Sequence, residues 1–260
     1  MNEMPLIGLG TYKLNGKECT KVIRQALEMG YQHIDTALSY ENHEAIGKAL
    51  KGFDREKVFI TSKFFLDSPD VKEVGRVVKR VLKELDTDYL DLLLIHWPNR
   101  ELPLNAILEA IMAQPQVRHA GVSNYTIHHL QDAYDAGLKV EYNQVEFHPH
   151  LYQKKLLDFC KKHGTQLVAY RPFGQLKGPL LEEKVICEIA EAKGKTPSQI
   201  ILRWIIQKGV HAIPKASSEQ HLKENLSVFD FSLSEKESAR IDALNQDKRY
   251  CATDWAEFDY

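Results

Sequence analysis

Eight short apolar segments, each followed by an amphipathic one, recur along the 260 residues and constrain the fold more than any other feature. The apolar segments are 6–9, 33–36, 58–62, 90–96, 118–122, 142–146, 166–170 and 211–214. The clearest amphipathic segment carries Val74, Val77, Val78, Val81, Leu82 and Leu85 at helical spacing. Strands that alternate with helices form a parallel sheet, because a parallel pair needs a crossover long enough for a helix. Eight such units in about 250 residues is the size of a single (β/α)8 barrel, an α/β fold. No run of linker composition interrupts the pattern, so residues 1–260 are expected to form one domain.

Local signals agree with that reading. Ser68-Pro69-Asp70 reads as a helix start, with an N-cap, a proline at the first helical position and an acid in the first turn. Gly30, Gly52, Gly137, Gly164 and Gly209 read as helix stops. A net charge of −2 gives no pull toward nucleic acid or an anionic membrane, so an anionic ligand would need a local cluster of donors. Cys19, Cys160, Cys187 and Cys251 form no CxxC pair, which points to a reduced, cytoplasmic protein. The N-terminus lacks a basic, apolar leader pattern, and Asp91 interrupts the most apolar stretch, so no membrane span is expected.

Gly8-Leu9-Gly10 follows a strand, and Asp35 ends the next one. This imitates the first unit of a dinucleotide-binding Rossmann domain. Lys13 occupies the third glycine's position, however, and about six residues separate Gly10 from the first helix, where the Rossmann turn leads straight into its helix. The preferred reading is a tight strand-to-loop turn.

Barrel chemistry sits at the C-terminal ends of strands. The second strand ends in Asp35, with Tyr40 five residues on; the third ends in Lys63 and the fourth in His96. Each alone has an ordinary explanation: a turn cap, a half-buried aromatic, a surface lysine, a core histidine. Four ionisable groups converging on one mouth from three successive strands is the pattern of a site. Tyrosine ionises near pH 10. An ammonium at about 4 Å would favour the phenolate by roughly 4 kcal/mol at an effective dielectric of 20, enough to lower the phenol's pKa by about three. Asp35 would hold Lys63 charged and oriented, and His96 would hydrogen-bond a carbonyl oxygen. The set suits protonation of an oxygen while hydride reaches the carbon.

The segments GLGTYKL, HIDTALSYENHEAIGKAL, ITSKF, DYLDLLLIHWP, GVSNY, NQVEFHP, AYRPFG and IPKASSEQHLKEN, in this order, carry a resemblance to the aldo-keto reductases over nearly the full length. The resemblance implies an NADPH-dependent carbonyl reductase, with NADH also possible, acting on a small-molecule carbonyl substrate as a monomer without metal. It makes Tyr40 the general acid, with Lys63, Asp35 and His96 completing the tetrad. Ser123, Asn124 and Gln144 resemble the nicotinamide carboxamide contacts, and Tyr170 the ring that stacks on the nicotinamide. Lys215 and Ser218 resemble contacts to the 2′-phosphate, and Glu224 and Asn225 the adenine contacts. Tyr12, Phe65 and Trp97 resemble the aromatic wall of the carbonyl pocket.

The chain departs from the family in four places. The hairpin that plugs the barrel bottom is missing or minimal. The loops after Trp97 and Tyr170 are short, which suggests an open, shallow pocket for small or polar carbonyls. Arg171 and Phe173 stand where serine and leucine are frequent; Arg171 is compatible with a diphosphate contact or a surface role. His221 replaces the phosphate-binding arginine. Residues 246–260, with Arg249, Trp255, Phe258 and Tyr260, resemble the tail that covers the pocket.

Two other functions compete. A redox-sensing nucleotide-binding accessory protein is opposed by the intact tetrad. A metal-dependent hydrolase is suggested by His148-Pro149-His150 and His128-His129, but it would need ligands converging from several strand ends, with an acid among them.

Arginine is always charged, whereas histidine is mostly neutral above about pH 6.5. With His221 beside Lys215, the preference for NADPH over NADH, measured as a ratio of kcat/KM, is therefore expected to fall as pH rises from about 6 to about 8. A ratio constant across that range would remove His221 from phosphate recognition.

Overall fold

The computed structural model describes residues 3–66, 68–175, 178–251 and 253–260. Met1 and Asn2 of the expected domain, and Ala252 of the expected tail, lie outside the described residues. Eight parallel strands run in sequence order: β1 (Leu9–Gly10), β2 (His33–Asp35), β3 (Phe59–Phe64), β4 (Leu90–Ile95), β5 (Val117–Ser123), β6 (Tyr142–Glu146), β7 (Gln166–Tyr170) and β8 (His211–Ala212). The ring closes where the amide of Ala212 donates to Leu6 O at 2.8 Å and that of Gly8 donates to Ala212 O at 2.9 Å. The fold is the expected (β/α)8 barrel. Helices α1 (Gly16–Glu28), α2 (His43–Leu50), α3 (Glu73–Leu85), α4 (Leu104–Met112), α5 (Ile127–Asp135) and α6 (Lys154–His163) each link consecutive strands. Two helices, α7 (Lys184–Lys193) and α8 (Pro197–Gln207), join β7 to β8, and α9 (Glu219–Leu226) and α10 (Glu235–Asp242) follow.

The helices pack by the apolar stripes visible in sequence. In α3, Val74, Val78, Val81 and Leu85 are buried, and Val77 and Leu82 flank them half-buried. Each such burial contributes about 1.5–3 kcal/mol. The start of α3 differs from the expectation. Ser68 Oγ accepts from the Asp70 amide at 3.1 Å, and Asp70 Oδ1 accepts from the Lys72 amide at 3.0 Å. These side chains close successive turns before the helix, which begins only at Glu73. The five expected stop glycines all have positive φ, between 74° and 98°.

Side chains alternate across a strand, so one set of every second residue lines the barrel interior. At mid-height and below, Phe59, Leu92, Leu94, Tyr142, Val168 and Ile213 form a cluster separate from the main core. Met4 joins it from below, and among the described residues no strand precedes β1. A Cβ on Gly121 would stand 2.6 Å from Tyr142 O and 2.8 Å from Leu94, so the interior leaves no room for a side chain there. Gly10 is shaped by closure rather than by a dinucleotide: its added Cβ would meet Ile213 O at 2.7 Å. Asp91 is buried on the helix side of β4, where it accepts from Arg55 at 2.8 Å, Arg118 at 3.1 Å and the Ile60 amide at 2.9 Å.

Histidines are concentrated inside. Burial, followed by the charges of His211 and Lys63, holds His33 down at about 3. Burial also lowers His43, His96, His129, His148 and His211. Below the unfolded histidine pKa of about 6.5 the unfolded chain takes up protons that the native state refuses. Stability therefore rises with pH across this window and is lost as pH falls. His33 alone is expected to cost roughly 2 kcal/mol between pH 7 and pH 5. Urea unfolding at the two pH values checks this; equal stabilities would contradict the neutral burial of these rings.

Candidate active site

The interior column that begins with apolar residues ends in polar ones at the C-terminal rim. On β2 the inward positions are His33 and Asp35; on β3 they are Phe59, Thr61 and Lys63. One step past β4 is His96, past β5 and β7 come Asn124 and Arg171, and β6 ends in Gln144 and Glu146. Lys63 is fully buried and donates to Asp35 Oδ1 at 2.5 Å and to Thr36 O at 2.8 Å. Gln144 Nε2 donates to the other oxygen, Asp35 Oδ2, at 2.7 Å. Burial pushes the Asp35 carboxyl up and the Lys63 ammonium down, and the charge of each opposes the other's displacement.

Tyr40 ends a 3-10 turn, Leu38–Tyr40, that follows β2. Lys63 Nζ lies 5.2 Å from its ring centroid. The Tyr40 and His96 rings are 5.9 Å apart at 72°. The structure thus brings all four expected residues together. The electrostatics differ from the expectation in one respect. Burial, then the charges of Asp35, Tyr12 and Cys251, hold the Tyr40 phenol above the usual tyrosine range, against a smaller pull from Arg171. The pull of Lys63 does not prevail, because the ammonium donates to Asp35 and Thr36 and the carboxylate beside it acts the other way. Tyr40 is accordingly a neutral phenol holding its proton.

His96 is neutral as well, lowered by burial and then by the Lys63 charge. Its Nδ1 is buried without a hydrogen-bond partner. A buried orphan N–H is less tolerable than a buried orphan acceptor, so the proton belongs on Nε2. That tautomer makes His96 a hydrogen-bond donor.

Beside this group runs a connected polar chain. Tyr170 OH donates to Asn124 Oδ1 at 2.7 Å, and Asn124 Nδ2 donates to His96 O and Ser123 Oγ, both at 3.1 Å. Ser123 Oγ donates to Gln144 O at 2.8 Å. Asn124 has φ +65°, held there by its own amide donating to Gln144 O at 2.8 Å. The remaining expected residues gather around α9. Ser218 caps it, accepting from the His221 amide at 3.2 Å, with His221 exposed and Lys215 half-buried just upstream. Glu224 accepts from Gln220 at 2.8 Å, and Asn225 is buried.

The aromatic wall lies on the other side. Tyr12 stands 5.1 Å from Tyr40, and Phe65 stands 4.6 Å from His96. Trp97 meets Trp255 at 4.9 Å and Phe258 at 5.6 Å. Tyr12 and Phe65 are 51% and 40% exposed, so the mouth is open on this side. A cavity of about 480 Å³ lies behind Phe65 and Trp97, lined also by Leu102, Ile107, Trp255 and Glu257. It borders the wall but not Tyr40, so Tyr40 and its polar neighbours lie in the open mouth next to it.

Sequence reasoning missed what fastens the tail. Glu146, fully buried at the end of β6, accepts from the Tyr250 amide at 2.7 Å, the Cys251 amide at 2.8 Å and His148 Nε2 at 2.8 Å. Burial acts to raise Glu146, but these hydrogen bonds outweigh it and hold the carboxylate charged. His150 O accepts from the Gln246 and Lys248 amides at 3.1 and 3.0 Å, and its Nδ1 meets Tyr250 OH at 3.0 Å. The HPH run considered as metal ligands is a clasp for the tail, and His129 likewise binds tail residue Glu257 at 3.0 Å. The only sequence signal was an acid and two histidines crowded at one strand end.

The chain is similar to known proteins over nearly its whole length. The model of the aldo/keto reductase family matches residues 6–246. The chain is 43% identical over 253 residues to glyoxal reductase of Bacillus subtilis, covering 95% of this chain and 91% of that one. It is 38% identical over 258 residues to methylglyoxal reductase of Escherichia coli, covering 95% and 92%. An aldo-keto reductase from a Medee basin deep-sea metagenome library superposes with a TM-score of 0.92 at 35% identity, over 100% of this chain and 97% of that one.

Removing Asp35 would leave a buried, uncompensated ammonium. Asp35→Ala is expected to cost about 3–5 kcal/mol of stability, and adding Lys63→Met should restore most of it. Urea midpoints of the two variants check this; a double variant as unstable as the single one would show that the pair is not what ties these strands.

Proposed function

We propose that this chain, which belongs to the aldo/keto reductase family, reduces small aldehydes or ketones to alcohols with NADPH, NADH serving less well. The observation that supports this best is the meeting of a proton-bearing Tyr40 and a neutral His96 over the buried Lys63–Asp35 pair. Relatives named for reduction of glyoxal and methylglyoxal favour a small carbonyl substrate, as does the open mouth beside Tyr12 and Phe65.

The donor set fits the cofactor. Lys215, the N-terminal end of α9 at Ser218 and the neighbouring His221 offer cationic and N–H groups suited to a phosphate. Glu224 and Asn225 would hold the adenine, and Ser123, Asn124 and Gln144 the carboxamide. The Tyr170 ring, fixed by its bond to Asn124, gives a flat face for the nicotinamide. When bound, the cofactor supplies a hydride for the carbonyl carbon.

The chain's own residues then handle the oxygen. His96 Nε2–H donates to the carbonyl oxygen and orients it, and its neutral ring does not compete as an acid. Tyr40 gives its proton to the oxygen as negative charge develops there. The resulting phenolate is stabilised by the ammonium 5.2 Å from its ring. Asp35 balances Lys63 in the resting state and so keeps Tyr40 protonated until that moment.

Tyr40→Phe is expected to keep NADPH binding, read by fluorescence, and to lose at least 100-fold in carbonyl reduction, in the range for loss of a general acid. Unchanged turnover would refute Tyr40 as the acid. A panel of aldehydes and ketones run with both nucleotides tests the reaction itself.

A further inference from the structure

The tetrad has a support that neither its own chemistry nor the cofactor set accounts for. Tyr40 lies in segment 36–42, which leaves β2 at Thr36 and enters α2 after Asn42. Among the described residues no hydrogen bond holds the Tyr40 hydroxyl; the phenol is placed by its turn and by the Tyr12 and His96 rings. The turn therefore has to be held from its ends. Thr36 Oγ1 donates to Asn42 Oδ1 at 2.6 Å, which closes the segment on either side of Tyr40. Asn42 Nδ2 donates to Thr11 O at 3.1 Å, Thr11 Oγ1 at 3.2 Å and Leu14 O at 3.0 Å. These acceptors flank Tyr12, whose ring stands 5.1 Å from that of Tyr40.

Both ends of this network reach the ion pair. Thr36 O accepts from Lys63 Nζ at 2.8 Å, and the Thr11 amide and Oγ1 donate to Asp35 O at 3.0 and 2.9 Å. Two features separate Asn42 from an ordinary helix cap. It stands at the N-cap of α2, where an asparagine oxygen usually accepts from an amide of the first turn, yet its side chain makes no such bond. It is also buried, with both atoms of its amide engaged. A buried polar group is costly unless it is paired. Here every side-chain partner belongs to the segment that carries Tyr40 or to the loop that packs on it.

We infer that Asn42, acting through Thr36, is a positioning residue for proton delivery, fixing the Tyr40 turn relative to Lys63 Nζ. This rests on the reductase reading above and adds to it a residue outside the tetrad and the cofactor set. Misplacement of a reacting group by about 1 Å costs on the order of 100-fold in rate. A turn held only by packing would leave the phenol that freedom. Asn42 accordingly acts on the chemical step and not on binding.

Butanal reduction with NADPH by Asn42→Ala, Thr36→Val and Thr36→Ser tests this. Thr36→Val exchanges only the hydroxyl for a methyl, so it unties the segment while filling the same space. It decides the matter if urea unfolding shows that Asn42→Ala does not fold. Asn42→Ala and Thr36→Val should each lose about 10- to 100-fold in kcat. KM for butanal, and NADPH binding read by fluorescence, should stay within about threefold of wild type, as expected for an interaction felt only in the transition state. The ratio of kcat in H2O to kcat in D2O should exceed the wild-type ratio, because a misplaced phenol makes proton transfer the slow step. Thr36→Ser keeps the hydroxyl and should retain kcat within about threefold of wild type. Wild-type kcat in Thr36→Val, a loss without a larger isotope ratio, or a loss that Thr36→Ser shares overturns the positioning role while the reductase reading stands. So does a loss that falls on NADPH binding instead of kcat, which would assign the network to the cofactor. A wild type that does not reduce butanal overturns both readings.

Discussion

The contact between Lys63 and Asp35 is the constraint on which the rest of the site depends. An ammonium removed from water is tolerable only when an acid and further acceptors surround it. Here Asp35 comes from β2, Lys63 from β3, Thr36 O from the turn after β2 and the second donor to Asp35, Gln144, from β6 across the mouth. One ion pair thus fixes the relative positions of three strand ends. Tyr40 and His96 sit against that fixed point, within 6 Å of each other by ring centroid.

The pair also sets the protonation state of its neighbours. A lone lysine would drag the phenol toward its anion and an acid would do the reverse. With both present burial is the larger effect and one charge of the pair adds to it at each neighbour: Asp35 raises Tyr40, Lys63 lowers His96, and both stay neutral. A phenol that keeps its proton at rest is what the proposed reaction requires of Tyr40. In the proposed reaction the lysine's charge favours the phenolate formed as the proton leaves.

The fold and the tetrad were legible in the sequence because both follow from short-range periodicity. Alternation by two along β3 puts Phe59 in the apolar interior and Lys63 at the rim on the same side of one strand, and the position of each polar residue in its segment is visible without the fold. The start of α3 was not legible, because Ser68 and Asp70 are equally good at closing isolated turns and at capping a helix. The role of Glu146 and His150 was hidden for a different reason. Their partners are about 100 residues away, and most of those partners are backbone amides, which carry no sequence signature.

That hidden clasp changes what the short loops mean. Short loops after β4 and β7 suggested a shallow, permissive mouth, and Tyr12 and Phe65 are indeed exposed. The missing wall is supplied by the tail, whose Trp255 and Phe258 pack on Trp97 and whose Glu257 ties it to His129 and the Arg100 amide. A wall built from the end of the chain can be altered without disturbing the barrel, since its attachments are to a few rim groups. Asp35, Tyr40, Lys63 and His96 sit on strands and the first turns after them, where register fixes them to their neighbours; the tail aromatics that flank them sit on a separately fastened segment. In the proposed reaction, chemistry and pocket wall thereby belong to different parts of one rim, joined through the strand-end neighbours Glu146 and Tyr170.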